Sequence, residues 1–387
     1  MRDVARPGWG ATAAFYGFFF LAMGAHLPFW PLWLADWGLT EAEVGLYTAL
    51  AVAVRVVFGV AIPWAADRAG APRRTLALVA AAAATLFLAH EVISPEGGGR
   101  PLLIAATLAS AIALAGVLPI VDALSLRAAA RGGFAYAPAR AVGSFAFLLA
   151  TLACGWAVSR WGSGAALWWI ALSLAPLAWL GLVHPGGAGA PLPRPRLAEA
   201  GRLAASRAFA LTMIAGASLQ GSHAVLYSYG SIHWRSQGID DATIGALWAF
   251  GVALEVALMV FAGRALIDRL GPAGAMALAG AAGALRWGLM TLDPAEPWLW
   301  PLQGLHAITF TAAFLGAIAM VERIAPESLA ATAQGLVGAT AGGAVMAAAG
   351  FAAAAAYPAY GAGAYWIGVA LSLVGLAAAA ALMRRRA

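Results

Sequence analysis

The chain has 387 residues, of which 63% are hydrophobic and 10% charged, with a net charge of +6. Soluble domains carry about 25% charged residues, so this chain lacks the polar surface to stand in water and reads as an all-α integral membrane protein. All 23 basic residues are Arg; without a Lys there is neither a P-loop lysine for an ATP site nor a Schiff-base amine. Cys154 is the single cysteine, which excludes an internal disulfide. Alternating barrel strands are missing, so helices must cross the bilayer.

A crossing helix needs about 20 apolar residues. Twelve stretches meet that length: 12–35, 43–65, 74–91, 101–127, 139–159, 163–183, 207–234, 242–263, 273–292, 297–321, 329–352 and 361–383. The first carries His26 in Gly24-Ala25-His26. The second holds Arg55 in its middle, where a charge costs roughly 2.5–3.5 kcal/mol on insertion scales. The turn Asp67-Arg68-Ala69-Gly70 follows, and Arg73 and Arg74 open the third span. Thr85 mirrors Arg55 across this turn, so the acid for Arg55 must come from elsewhere; Asp122 and Glu255 are the candidates. Asp122 of the fourth span and Arg140 of the fifth each lie nine residues from Arg131, which puts them at one depth on a hairpin. Pro63, Pro119 and Pro176 lie inside spans and permit kinks.

The Pro-, Gly- and Arg-rich stretch 184–206 lacks an apolar run and divides the chain into six spans at 1–183 and six at 207–387. Six is even, so both halves insert with the same orientation, as a parallel repeat. The repeat is legible in residues. From Gly38 the chain runs GLTEAEVGLYTALAVAVRVVFG, and from Gly238 it runs GIDDATIGALWAFGVALEVALM. Gly245 lies 200 residues after Gly45, and Glu255 stands where Arg55 stands in the first copy. The second copy also reaches a charged turn, Asp268-Arg269-Leu270-Gly271, and His223 in Gly221-Ser222-His223 matches His26. These two histidines are either hydrogen-bonded packing residues or substrate contacts. Glu255 lies 15 residues before Leu270, and Arg286 lies 15 after Gly271. A direct ion pair between them is therefore expected, either a static bridge or a switchable one. His306 falls in the tenth span.

With the N-terminus inside, 18 Arg residues fall on the cytoplasmic side and three, Arg100, Arg160 and Arg235, on the other. The positive-inside rule then puts both termini in the cytoplasm of a cell (inner) membrane protein. Histidines and acids lack metal-ligand spacing, and no nucleophile–base set or dinucleotide fingerprint is present. The sequence thus points away from an enzyme and from nucleic acid, and implies no cofactor or metal. The partners expected are a small solute, protons and the lipid bilayer, acting on a monomer.

Several segments carry a family resemblance: LPFWPLWLADWGLTEAEVGLY (27–47), PIVDAL (119–124), LQGSHAVLYSYGSIHW (219–234), ALWAFGVALEVALM (246–259), LRWGLM (285–290) and LQGLHAITFT (302–311). With these the chain resembles the major facilitator superfamily, and within it the phenylpropionate permease-like group. The resemblance implies twelve helices in two pseudo-symmetric halves around a central cleft. The turn containing Asp67, Arg68, Arg73 and Arg74 is similar to the superfamily's loop 2–3 motif, with one added residue before the Arg pair.

More distantly, the chain resembles the lactose permease group of sugar–proton symporters. That likeness implies that Asp122 and Arg140, 18 residues apart, hold the substrate, with Phe147 as a stacking ring. It also implies a coupling network of Glu255, Arg286 and His306, to which Arg55 is added here as a buried charge. Thr309 stands where that group has its proton-carrying acid. The function expected is proton-coupled uptake of a small organic solute, an aromatic carboxylate, by alternating access. The alternatives are a sugar or nucleoside symporter, or an efflux transporter of the same fold.

Overall fold

The computed structural model describes residues 8–186, 201–203, 205–326, 333, 336–338 and 343–384. Ten helical stretches are long and apolar enough to cross a membrane. Two of them are each divided, one at Gly271 (φ 68, ψ 166) and one at the 3₁₀ turn Gly361–Tyr365, giving twelve spans among the described residues. They are α1 Trp9–Asp36, α2 Glu41–Arg68, α3 Pro72–Ala89 with a trailing turn His90–Val92, and α4 Gly99–Gly132. Next come α5 Tyr136–Trp161, α6 Gly164–Val183, α7 Arg207–Ser236, α8 (241–270) and α9 (272–290). The last are α10 Glu296–Ile324, α11 Val345–Tyr360 and α12 Trp366–Met383. The part of the expected eleventh span before residue 343, most of the 184–206 segment, and Arg2, Arg6, Arg194, Arg196, Arg385 and Arg386 lie largely or wholly outside the described residues.

The repeated glycines are punctuation with a physical cause. Gly38 and Gly238 follow α1 and α7 at φ 106 and 86, a left-handed conformation that L side chains resist. Asp240 then starts α8, accepting from the Ala242 and Thr243 amides and the Thr243 hydroxyl; these bonds, the hydroxyl's above all, hold its carboxyl below the usual range. Two spans of the second half contain a full π turn. Leu258–Ala262 in α8 and Ala307–Ala312 in α10 are π-helical; the first begins three residues after Glu255 and the second immediately after His306. By contrast α2, the first-half counterpart of α8, is α-helical throughout.

The chain forms two compact units. The first comprises Met1–Thr40, Leu50–Leu192 and Asp240–Ala249; the second comprises Glu41–Ala49, Pro193–Ile239 and Phe250–Ala387. The first turns of α2 thus belong to the second unit, and the first turns of α8 to the first.

Close helix packing in both units rests on small residues, as expected where lipid supplies no hydrophobic drive between helices. In the first unit, a Cβ on Gly24 of α1 would meet the Phe147 carbonyl of α5 at 2.6 Å. Gly245 likewise abuts Gly155 of α5, Cβ to Cα 3.1 Å. In the second unit, Gly45 abuts Tyr229 and Ala354, Gly280 of α9 lies against Leu376 of α12, and Gly375 lies against Leu219 of α7. The repeat-related Gly45 and Gly245 therefore do the same work, each at an exchanged helix end.

Candidate functional site

Ionisable and aromatic residues converge in both units. In the first unit, Asp122 of α4 and Arg140 of α5 both reach Tyr16 of α1. The Tyr16 hydroxyl donates to Asp122 Oδ1 at 2.5 Å, and the Tyr136 hydroxyl donates to the same oxygen at 3.2 Å. Arg140 lies over the rings of Tyr16 and Phe20, its Cζ 4.8 and 4.4 Å from their centroids. Gly143, one turn after Arg140, makes room for this stack: a Cβ there would meet Phe20 at 2.6 Å and Arg140 Nη1 at 3.3 Å.

In place of the expected Asp122–Arg140 pair, each residue contacts Tyr16. Asp122 is held by two tyrosines, and no Asp122–Arg140 ion pair forms among the described residues. The guanidinium lies over two rings, while its N–H groups have no hydrogen-bond acceptor among the described residues. Such a group is a planar fork open to an anion. Phe147, two turns along the same face of α5, is buried, and its carbonyl accepts from Thr151.

Arg55 also sits in the first unit. Its Nη2 is 3.4 Å from His26 Nε2, and its Nε has no partner. Asp122 forms no ion pair with it among the described residues; the imidazole takes the place the acid was expected to fill. His26 in turn stacks on Trp30 at 6.0 Å.

At the Arg-rich end of this unit, Arg73 donates to the His184 carbonyl at 3.2 Å, and the His184 ring stacks on Phe15 at 4.3 Å. Burial, with Arg73 and Arg127 nearby, lowers the His184 pKa to about 4. Asp67, Arg68 and Arg74 are exposed around the same turn, with Arg68 over the Trp64 ring at 5.6 Å.

In the second unit, Arg286 of α9 is 1% exposed and central to a polar cluster. It donates to Gln303 Oε1 at 2.5 Å and Thr309 Oγ1 at 3.2 Å, and its Nη1 is 3.2 Å from His306 Nδ1. Its Cζ lies 4.3 Å from the Trp287 ring centroid. His306 Nε2 is 3.2 Å from Glu255 Oε2.

The direct Glu255–Arg286 contact expected from equal distances to the turn is absent among the described residues, because His306 stands between them. This geometry assigns a tautomer. A guanidinium only donates, so Nδ1 must accept, and the neutral ring carries its proton on Nε2, facing Glu255. A doubly protonated ring would turn an N–H against the guanidinium. Thr309 extends the cluster to His223, whose Nε2 lies 3.2 Å from its hydroxyl. His223 Nδ1 lies 3.2 Å from the Leu219 and Gln220 carbonyls. His223 and His306 meet edge to face at 5.3 Å.

One polar cluster of the second unit was not singled out in the sequence. His233 Nε2 is 2.7 Å from Asp293 Oδ1, and His233 Nδ1 is 2.8 Å from the Tyr357 hydroxyl. Tyr357 stacks on Tyr229 at 4.0 Å, and the Tyr229 hydroxyl donates to the Glu41 carbonyl. Asp293 has φ 55, the positive-φ residue other than glycine among those described. The Asp293-Pro294 dipeptide, a turn signal, was its trace in the sequence.

Comparison with known proteins bears on the family and the fold. The family model described as the MFS_1 like family matches residues 11–367. The probable 3-phenylpropionic acid transporter of Escherichia coli (strain K12) is 28% identical over 305 residues, covering 78% of this chain and 79% of that protein. The maltose permease of Geobacillus stearothermophilus is 28% identical over 338 residues, covering 85% and 84%. Among solved structures, a mutant of the nucleoside transporter NupG superposes with a TM-score of 0.77 at 18% identity, covering 97% of this chain and 99% of that one.

Proposed function

The chain belongs to the MFS_1 like family of membrane transporters, and from that premise we propose that it takes up a small aromatic carboxylate by proton-coupled alternating access. The observation that carries this reading is Arg140: its guanidinium lies over the rings of Tyr16 and Phe20, and it meets no hydrogen-bond acceptor among the described residues. A carboxylate docks edge-on to that fork, and an attached aromatic ring continues the stack of Tyr16 and Phe20. Asp122, tied to Tyr16 and Tyr136, fixes the ring on which Arg140 rests and so positions the cation without pairing with it. The similarity to a probable 3-phenylpropionic acid transporter agrees with this chemistry.

The Asp122–tyrosine cluster also supports a second reading, because hydroxyl-rich solutes exchange well with such groups. The same experiment decides between them. Thermal melting of the purified chain is followed against a panel of aromatic acids, sugars and nucleosides; a ligand at 100 times its dissociation constant adds about 2.7 kcal/mol. Aromatic acids should stabilise the wild type and not Arg140→Lys, since an ammonium cannot reproduce the planar fork. Stabilisation by a sugar or nucleoside alone, retained in Arg140→Lys, overturns the carboxylate assignment.

For coupling, we assign the proton to Glu255, the carboxyl end of the Arg286–His306–Glu255 chain, whose Oε2 faces the His306 N–H and whose other oxygen is left to take the proton. Thr309 stands in place of a second acid and serves as a hydrogen-bond hub. In proteoliposomes, Glu255→Gln should exchange substrate across the membrane without accumulating it. Proton-driven accumulation by this variant would remove Glu255 from the role. In this reading the termini and the 184–206 linker lie in the cytoplasm, where the Arg excess is retained.

A further inference from the structure

A second recognition site lies outside both clusters, at the end of the first unit's helices opposite His184. Glu91, in the turn that ends α3, lines a groove of about 570 Å³ together with Trp156 and Trp161 of α5 and Trp168 and Trp169 of α6. Three of these indoles, Trp156, Trp161 and Trp168, are more than half exposed, and Trp156 and Trp161 meet edge to face at 5.1 Å.

Tryptophan belts mark membrane–water interfaces, but a belt does not require a carboxylate in its midst. Glu91 Oε1 lies beside the first turn of α6, 3.2 Å from a Cβ built on Gly164, where the positive end of the helix dipole favours the anion. The carboxylate has no hydrogen bond or ion pair among the described residues. Indole faces and a carboxylate together recognise an ammonium group. Arg160, one turn beyond Trp156 on the same face of α5, is exposed and also without a partner among the described residues. The groove therefore offers a site for a positive group, a neighbouring site for a negative one, and apolar walls such as Leu172 toward lipid.

We propose that this groove binds the headgroup of a phospholipid bearing a primary ammonium, with the ammonium at Glu91 and the indoles and the phosphate at Arg160. A primary ammonium supplies the N–H donors that the Glu91 carboxylate lacks. The assignment is independent of the transported substrate, since no residue of the groove belongs to the Arg140 or Arg286 clusters.

The full-length chain, purified and delipidated, is equilibrated with equal amounts of phosphatidylethanolamine and phosphatidylglycerol, and the retained lipid is read by native mass spectrometry. Phosphatidylethanolamine should be retained about three- to tenfold more, the scale of a cation–π contact reinforced by a carboxylate. Glu91→Gln should abolish the preference and Glu91→Asp should keep it, which separates charge from folding. Replacing Trp156 and Trp161 by Leu should lower it. Trp179→Leu, at an exposed indole elsewhere on α6, should leave it unchanged. Equal retention of the two lipids by the wild type, or an undiminished preference in Glu91→Gln, overturns the proposal. Displacement of the lipid by an equal concentration of soluble ethanolamine overturns its assignment to a membrane lipid.

Discussion

The imidazole between Glu255 and Arg286 fixes how strongly those two charges can feel each other. Two contacts of 3.2 Å flank the ring, which puts the charges about 8 Å apart. With an effective dielectric constant of about 20, that separation gives roughly 2 kcal/mol. A direct contact at about 4 Å would give roughly 4 kcal/mol under the same treatment. The distinction is measurable by a double-mutant cycle on Glu255→Gln and Arg286→Gln, read as unfolding free energy in detergent. Each single change leaves a buried charge without its counter-charge, so each should cost more than the additive share of the double change. A coupling energy near 2 kcal/mol is expected. A value near 4 kcal/mol would mean that the two side chains touch and would refute the bridged arrangement. A value below about 0.5 kcal/mol would mean the charges are independent.

The buried His184 should give the protein a pH-dependent component of stability. Its folded pKa lies near 4, below the ordinary 6.5, so this component is complete above pH 6.5 and is lost as pH falls toward 4. At about 1.4 kcal/mol per unit, the full loss is roughly 3 kcal/mol. Melting curves of His184→Gln between those pH values should be flatter than wild type; an identical slope would exclude His184 as the source. Gly245→Val would drive a Cβ to within 2.6 Å of the Thr151 carbonyl and 3.1 Å of Gly155. It should lower unfolding free energy by about 1–3 kcal/mol, and an unchanged melting temperature would contradict the packing described.

The spans were legible because lipid imposes length and apolarity on each one, and the duplication was legible because Gly38, Gly45, Gly238 and Gly245 hold sites where a Cβ is costly. Depth was legible too. Counting from a hairpin turn put Glu255 level with Arg286, and Asp122 level with Arg140. Counting does not give the angle at which a side chain leaves its helix, nor what a third helix inserts. Both expected pairs failed there: His306 of α10 entered the first, and Tyr16 of α1 the second. The His233–Asp293–Tyr357 cluster was hidden for a similar reason, since its members come from α7, the α9–α10 connection and α11 and share no local spacing.

The π turn of α8 bears on how the two halves diverged. Gly245 follows Gly45 by 200 residues, but Asp268 follows Asp67 by 201 and Gly271 follows Gly70 by 201. The second copy is therefore one residue longer between these markers. The α-helical α2 has no wider turn, whereas α8 widens at Leu258–Ala262. A π turn accommodates one residue more than the α turn it replaces, so the widening absorbs the insertion locally and leaves the flanking marks in step. Upstream of it, the two copies can be superposed residue for residue, and Glu255 is the true counterpart of Arg55. Downstream, every correspondence is displaced by one. A single-residue deletion within 258–262 should restore common numbering, and with it an uninterrupted α-helix directly after Glu255.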